Sequence, residues 1–236
     1  MSNDPEDKII SRFRFGNTYG GVRSMQQALR GWYDSKYLDT HGIFSLRMES
    51  FENYFWPEIS HYFEGLESLI DVGCGNGRHA NFFSQHVSEV RAFDPLLNIN
   101  PLFVKANPNI HFSRDSLRSF KEKTENDKKY DVVFVSETFG LFCGSPHHAD
   151  GDMTCLEALG VIHSLLSESG ILVLIDMSNR RWPDNTDEKA LLQSHPGAAP
   201  RYNLAKLCIK SGFEVIKEMG RHRRHTLTVL KKISEE

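Results

Sequence analysis

Asp71, Gly73, Gly75 and Gly77 fall at alternate positions in the stretch Leu69-Ile-Asp-Val-Gly-Cys-Gly-Asn-Gly-Arg-His-Ala. Glycine tolerates positive φ and lets another molecule approach the backbone, so three in alternation suit a ligand-binding turn. Leu69 and Ile70 end an apolar run, as a buried parallel strand does. Arg78-His-Ala-Asn-Phe-Phe after the turn reads as a helix start. A strand, a glycine turn and a helix N-terminus form a nucleotide-type site at the carboxyl edge of a parallel sheet. The dinucleotide fingerprint needs glycine at the first, third and sixth turn positions, and here the sixth is Arg78. That disfavours a nicotinamide oxidoreductase. Asp71 would also repel a pyrophosphate, whereas it suits a ligand carrying an amine. The bland alternative is a glycine-rich turn with no ligand.

This stretch resembles the first motif of the class I S-adenosylmethionine (SAM) methyltransferases, Asp-x-Gly-x-Gly-x-Gly. The resemblance implies that Asp71, Gly73, Cys74, Gly75, Asn76 and Gly77 hold the methionyl part of SAM, with S-adenosylhomocysteine (SAH) as product. A second strand, from Ser88, ends in Asp94-Pro95. The resemblance implies that Asp94 accepts from the ribose hydroxyls, and one carboxylate can accept from two vicinal hydroxyls. Competing with this is a turn or N-cap aspartate before a proline. Asp115-Ser116-Leu117 resembles the family's third motif, whose acid meets the adenine amino group. An ordinary Asp-Ser turn is the alternative, with Arg114 a candidate ion-pair partner for Asp115. Ser136 and Glu137 end a fourth strand, where the family places cofactor and substrate contacts.

A methyl acceptor that is a hydroxyl needs a base or a cation; an amine or thiolate needs neither. After the fourth strand the chain offers His147, His148, Asp150 and Asp152. Three readings compete. His148 or His147 is a general base with a carboxylate such as Asp152 beside it. Alternatively, these side chains hold a divalent cation. The bland reading is a polar surface loop. The base reading is the one carried forward, without a metal; Asp176 and Asn179 are placed to join either functional version. Arg180 and Arg181 follow a strand at the carboxyl edge, where an acidic substrate could lie. Arg221-His-Arg-Arg-His reads more simply as a solvated hairpin turn.

These residues need a frame. Strands are expected near 66–72, 88–94, 109–113, 130–136, 169–176, 212–219 and 226–233, with helices between the early ones. The fourth is apolar almost throughout and so buried on both faces. Thr154 with Glu157 three residues on predicts a capped helix to Leu166, ended by Gly170. Arg201–Ser211 predicts a later helix, and a short one lies near Asp187–Gln193. The element order implies an α/β fold: a three-layer Rossmann-like, seven-stranded, mostly parallel sheet with an antiparallel edge. Residues 66–236 form the SAM domain in this reading, and 1–65 a helical, aromatic cap or lid. Met25–Tyr37 predicts a helix there, and Phe15–Gly21 a mobile lid over the cofactor. Phe51, Tyr54, Phe55, Ile59, Tyr62 and Phe63 recur near helical spacing, with Pro57 kinking the helix or starting a second. Packing of this appendage onto the sheet is favoured over a direct role with substrate.

The chain has 236 residues and a formal charge of −3, which argues against broad nucleic-acid binding. Cys74, Cys143, Cys155 and Cys208 lack Cys-x-x-Cys spacing, which points to a reducing compartment and no zinc cluster. The polar, acidic start is no signal peptide, and no apolar run reaches the length of a membrane span. A cytoplasmic enzyme methylating a small molecule, at oxygen, is the expected function. A protein or RNA methyltransferase, or a catalytically silent SAM-fold binding protein, are the alternatives. Oligomeric state is not readable from the sequence.

Overall fold

Apolar side chains alternate along the central strands so that one sheet is covered on both faces. The computed structural model describes residues 48–95, 107–124, 128–139, 153–177, 204–222 and 225–233, all within a unit running Leu46–Glu236. Seven strands form one sheet: β1 (Ser68–Val72), β2 (Glu89–Phe93), β3 (Ile110–Ser113), β4 (Tyr130–Ser136), β5 (Leu166–Met177), β6 (Phe213–His222) and β7 (His225–Lys232). Their order is β3-β2-β1-β4-β5-β7-β6. Strands β1 to β5 run parallel, and β7 runs antiparallel to both β5 and β6. The expected Rossmann-like sheet, mostly parallel with an antiparallel end, is therefore the fold observed. The reversed strand is β7, one place in from the edge.

The chain winds outward from β1 in one direction through β2 and β3, and in the other through β4 and β5. In open α/β sheets such a switch point opens a crevice at the strands' carboxyl ends. The candidate residues at the ends of β1, β2 and β4 converge on that edge.

Ile70, Val72, Val133, Val135, Leu172 and Leu174 face one side. They pack against Leu117 and Phe120 of α2 (Leu117–Lys123), Leu159 and Ile162 of α3 (Cys155–Leu165), and Cys208 of α4 (Leu204–Lys210). Leu69, Val132, Phe134, Val173 and Ile175 face the other side, with Ala80 and Phe83 of α1 (Arg78–Phe83). That second face is completed by a leading helical run: Met48–Ser50, a π-helical Phe51–Phe55, Trp56–Ile59 and a 3-10 turn Ser60–Phe63. The Trp56 N–H bonds to the Phe51 carbonyl five residues back, which is the π turn. Pro57 sits in the first turn of the next segment, where its missing N–H costs nothing. Phe51, Phe55, Ile59 and Phe63 are buried against the sheet, as the favoured packing reading required. Phe51 is the hub, edge-on to Phe82, Phe83 and Phe134 at 5.3, 5.7 and 5.8 Å.

The Thr154 capping box forms as expected: the Thr154 hydroxyl accepts from the Glu157 N–H, and the Glu157 carboxylate accepts from the Thr154 N–H. The helix end is a correction. Gly170 does not end α3, which stops at Leu165; the chain is extended from Leu166. The β4–β5 register jumps from Tyr130↔Leu166 to Val132↔Ile171, so residues 167–170 bulge out of the ladder. A Cβ on Gly170 would lie 3.0 Å from both Leu166 Cδ2 and the Ser167 carbonyl, so the bulge, not a helix cap, calls for glycine there. The expectations for Phe15–Gly21, Met25–Tyr37 and Asp187–Gln193 fall outside the described residues. No helix among the described residues is long and apolar enough to cross a membrane.

Candidate active site

Gly73, Gly75 and Gly77 all adopt positive φ, at 72°, 55° and 83°. The turn they form is tied to β2: Gly73 and Cys74 N–H groups donate to the Phe93 carbonyl at 2.9 and 3.1 Å. Gly77 closes on the Cys74 carbonyl at 2.9 Å and starts α1. Over the turn lies Thr138. Its hydroxyl donates to the Val72 carbonyl at 3.0 Å, and a Cβ on Gly73 would meet its side chain at 2.5–2.7 Å.

Asp71 sits beneath this turn on the α1 face of β1 and is 1% exposed. Burial pushes its carboxyl up to about 8; a hydrogen bond from the Ala80 N–H opposes this, and nearby Asp94 adds to it. Asp71 Oδ2 is buried with no hydrogen-bond partner. Cys74 is a buried free thiol, held far above its usual range by burial and then by Asp71 and Asp94, so it stays protonated. Asn76 lies partly exposed in the turn.

Asp94 follows β2, buried to 7% exposure, and its Oδ2 accepts from the Gly75 N–H at 3.1 Å. Asp94 is thereby fixed against the glycine turn, with Pro95 following it. Asp115 follows β3 and is also buried. Its Oδ1 accepts from the Ser119 hydroxyl at 3.1 Å and pairs with Lys123. Burial acts to raise the Asp115 carboxyl, but hydrogen bonds from Lys123, Ser113 and Ser119 outweigh it and hold it below its usual range. The cation that pairs with it, Lys123, stands on α2. Ser116 N-caps α2, its hydroxyl accepting from the Ser119 N–H at 3.2 Å in a capping box.

At the end of β4, Ser136 Oγ is buried without a hydrogen-bond partner. Glu137 has φ 59°, the one positive-φ residue other than glycine among the described residues. Non-glycine residues held there store strain and are enriched at functional sites. Its N–H donates to the Ile175 carbonyl at 2.7 Å. Its side chain meets His225 Nε2 at 2.5 Å, with the two side chains 7% and 13% exposed. His225 belongs to the run read from sequence as a solvated hairpin turn; here it is largely buried and paired. The missed signal was topological: a last strand running backwards delivers its first residue to the carboxyl edge.

His147, His148, Asp150, Asp152, Asn179, Arg180 and Arg181 lie outside the described residues. Asp176 pairs through its backbone with Thr226. Among the described residues no three His, Cys, Asp or Glu side chains converge as metal ligands. The structure thus brings together Asp71, Gly73, Cys74, Gly75, Gly77, Asp94, Ser136 and Glu137 on one edge, Asp115 at the neighbouring strand end, and adds Thr138 and His225.

A family model described as a methyltransferase domain matches residues 46–218. The chain belongs to this methyltransferase family. A ubiquinone biosynthesis O-methyltransferase of Rickettsia bellii is 30% identical over 121 residues, 49% of this chain and 48% of that relative. The match thus spans about half the length of the curated relative. A Burkholderia thailandensis 1,6-didemethyltoxoflavin-N1-methyltransferase, solved with its named substrate and SAH, superposes with TM-score 0.60 at 16% identity, covering 92% of each chain. The N-methyltransferase NodS of Bradyrhizobium japonicum WM9, in complex with SAH, gives TM-score 0.58 at 11% identity, covering 88% of this chain and 97% of that one. At such identities the likeness is one of fold.

Proposed function

We propose that the protein transfers a methyl group from SAM to a hydroxyl of a small-molecule acceptor. The carrying observation is Asp71: a carboxyl with a buried, unpartnered oxygen under a turn of three left-handed glycines. A buried polar atom without a partner calls for an explanation, and an incoming cationic group supplies one. The residues fit SAM. Asp71 and the turn would take its amine-bearing methionyl part, Asp94 its ribose hydroxyls, and Asp115 its adenine amino group. When bound, SAM supplies an electrophilic methyl on a sulfonium. The protein's part is to hold the acceptor in line and to exclude water. Oxygen is preferred as acceptor because the Rickettsia relative is named for O-methylation. The methyltransferase family and the SAH-bound fold relatives support the choice of cofactor.

Calorimetry with SAH in two buffers of different ionisation enthalpy tests this reading. Affinity of roughly micromolar order is expected, about 8 kcal/mol. An ammonium beside Asp71 favours its charged form, so binding at pH 7 should release a proton and the apparent heat should depend on buffer. No binding, or tighter binding of NADH than of SAH, would remove the proposal.

A further inference from the structure

We propose that His225, aimed by Glu137, is the base that takes the acceptor's hydroxyl proton. This rests on the methyltransferase reading above and names a residue that the family match does not assign. Three observations carry it. The first is place. Glu137 follows β4 and His225 opens β7, with β5 between them in the sheet, so their contact crosses the carboxyl end of β5. Thr138, next to Glu137, touches the glycine turn, so the pair stands beside the cofactor edge on the side where β4 and β5 end. The second is construction. Glu137 keeps a strained left-handed backbone while its carboxylate meets His225. The third is what the pairing leaves over. With Nε2–H donated to Glu137, the neutral imidazole carries its lone pair on Nδ1. That atom is buried and has no hydrogen-bond partner.

A carboxylate that fixes one imidazole nitrogen as donor makes the other the acceptor, and stabilises the imidazolium once it forms. In the step proposed, the acceptor O–H proton moves to His225 Nδ1. The acceptor oxygen forms the new C–O bond as the carbon–sulfur bond of the sulfonium breaks, its electron pair staying on sulfur. The proton then leaves the imidazolium for solvent. His79 also buries an unpartnered ring nitrogen, among aromatic rings; what sets His225 apart is the carboxylate on its other nitrogen and its place at the carboxyl edge of the sheet.

The test uses the full chain with SAH bound and isotope-labelled histidine, whose ring-nitrogen NMR resonances tell a protonated nitrogen from a bare one without a reagent having to reach the buried ring. His225 should carry its proton on Nε2 and leave Nδ1 bare, and the Nδ1 resonance should shift when catechol is added. Glu137→Gln, which still fills the space but withdraws the charge, should lose that preference. In a second arm, tritium transfer from labelled SAM to catechol should fall ~10²–10⁴-fold in His225→Gln, with SAH affinity within threefold of wild type. A His225 that carries its proton on Nδ1 in an SAH-binding protein, or His225→Gln turnover within threefold of wild type, overturns the assignment. If catechol is not methylated by the wild type, the ring-nitrogen resonances decide by themselves. Failure of the wild type to bind SAH would instead overturn the methyltransferase reading, and this assignment with it.

Discussion

Thr138 stands where a Gly73 side chain would be. Its hydroxyl closes on the Val72 carbonyl, so the loop leaving β4 is clamped onto the turn leaving β1. The two halves of the crevice are thereby held at one spacing. A residue with a Cβ at position 73 faces both a left-handed backbone and a filled space.

Gly73→Ala should therefore destabilise the protein by ~2–5 kcal/mol, adding left-handed strain to overpacking. Gly65→Ala is the matched comparison. Gly65 has φ 77° but nothing within 4 Å of where a methyl would stand, so only the backbone strain of ~1–2 kcal/mol should appear. Urea unfolding of both variants separates the two contributions; equal losses would mean that Thr138 simply moves aside.

Asp94→Ala should weaken SAH binding by ~1.5–3 kcal/mol, the range for hydrogen bonds to a charged group. Asp94→Asn can still accept from the Gly75 N–H, so it should keep the turn and lose less. Calorimetry on both variants checks this, and an unchanged SAH affinity in Asp94→Ala would remove the ribose assignment.

Two buried titrations of opposite sign, Asp71 and His79, should cancel between pH 3.8 and 6.5 and leave stability level there, with a fall on either side. Asp71 rises from 3.8 to about 8 on folding, so its contribution is complete below pH 3.8 and is lost as pH climbs toward 8. His79 falls from 6.5 to about 3 through burial and then the charge of Arg78, so its contribution is complete above pH 6.5 and is lost as pH drops toward 3. Asp71→Asn should then gain on the wild type between pH 4 and 8, by at most roughly 5 kcal/mol at ~1.4 kcal/mol per pH unit. His79→Leu should remove the opposing slope, so that stability falls with rising pH between pH 4 and 6.5, where the wild type is level. Denaturant midpoints from pH 4 to 8, without cofactor, give both slopes; parallel curves for Asp71→Asn and wild type would refute the first.

Phe51→Ala should cost ~3–5 kcal/mol, since the ring is fully buried among His79, Phe82, Phe83 and Phe134. Tyr54→Ala, three residues on and 38% exposed, should cost far less. Thermal unfolding of the pair measures how firmly the leading helical run belongs to the sheet's core.

What the sequence disclosed followed the range of its rules. The β1–turn–α1 unit rests on neighbouring residues, and so does the Thr154–Glu157 cap, so spacing alone located both. The nearly unbroken apolar run of β4 likewise announced a buried strand. Gly170 was misassigned because a glycine after a helix suits a cap, whereas its real constraint comes from the bulge against Leu166 and Ser167. Lys123 on Asp115 and His225 on Glu137 were beyond any local pattern. The second pair is separated by 88 residues and depends on β7 entering the sheet reversed. His147, His148 and Asp152 lie outside the described residues, so the three readings of them stand as they began.

The position of β7 between β5 and β6 also sets an order of assembly. As the chain leaves the ribosome, β6 emerges before the strand it must pair with. Until residues up to Lys232 are free, β5 presents an unpaired outer edge and β6 has no place in the sheet. Bare strand edges invite pairing with other chains. Nascent chains arrested at residue 222 should therefore be captured by chaperones and cut readily by protease, while chains fused to a flexible C-terminal linker long enough to bring Lys232 out of the ribosome should resist both.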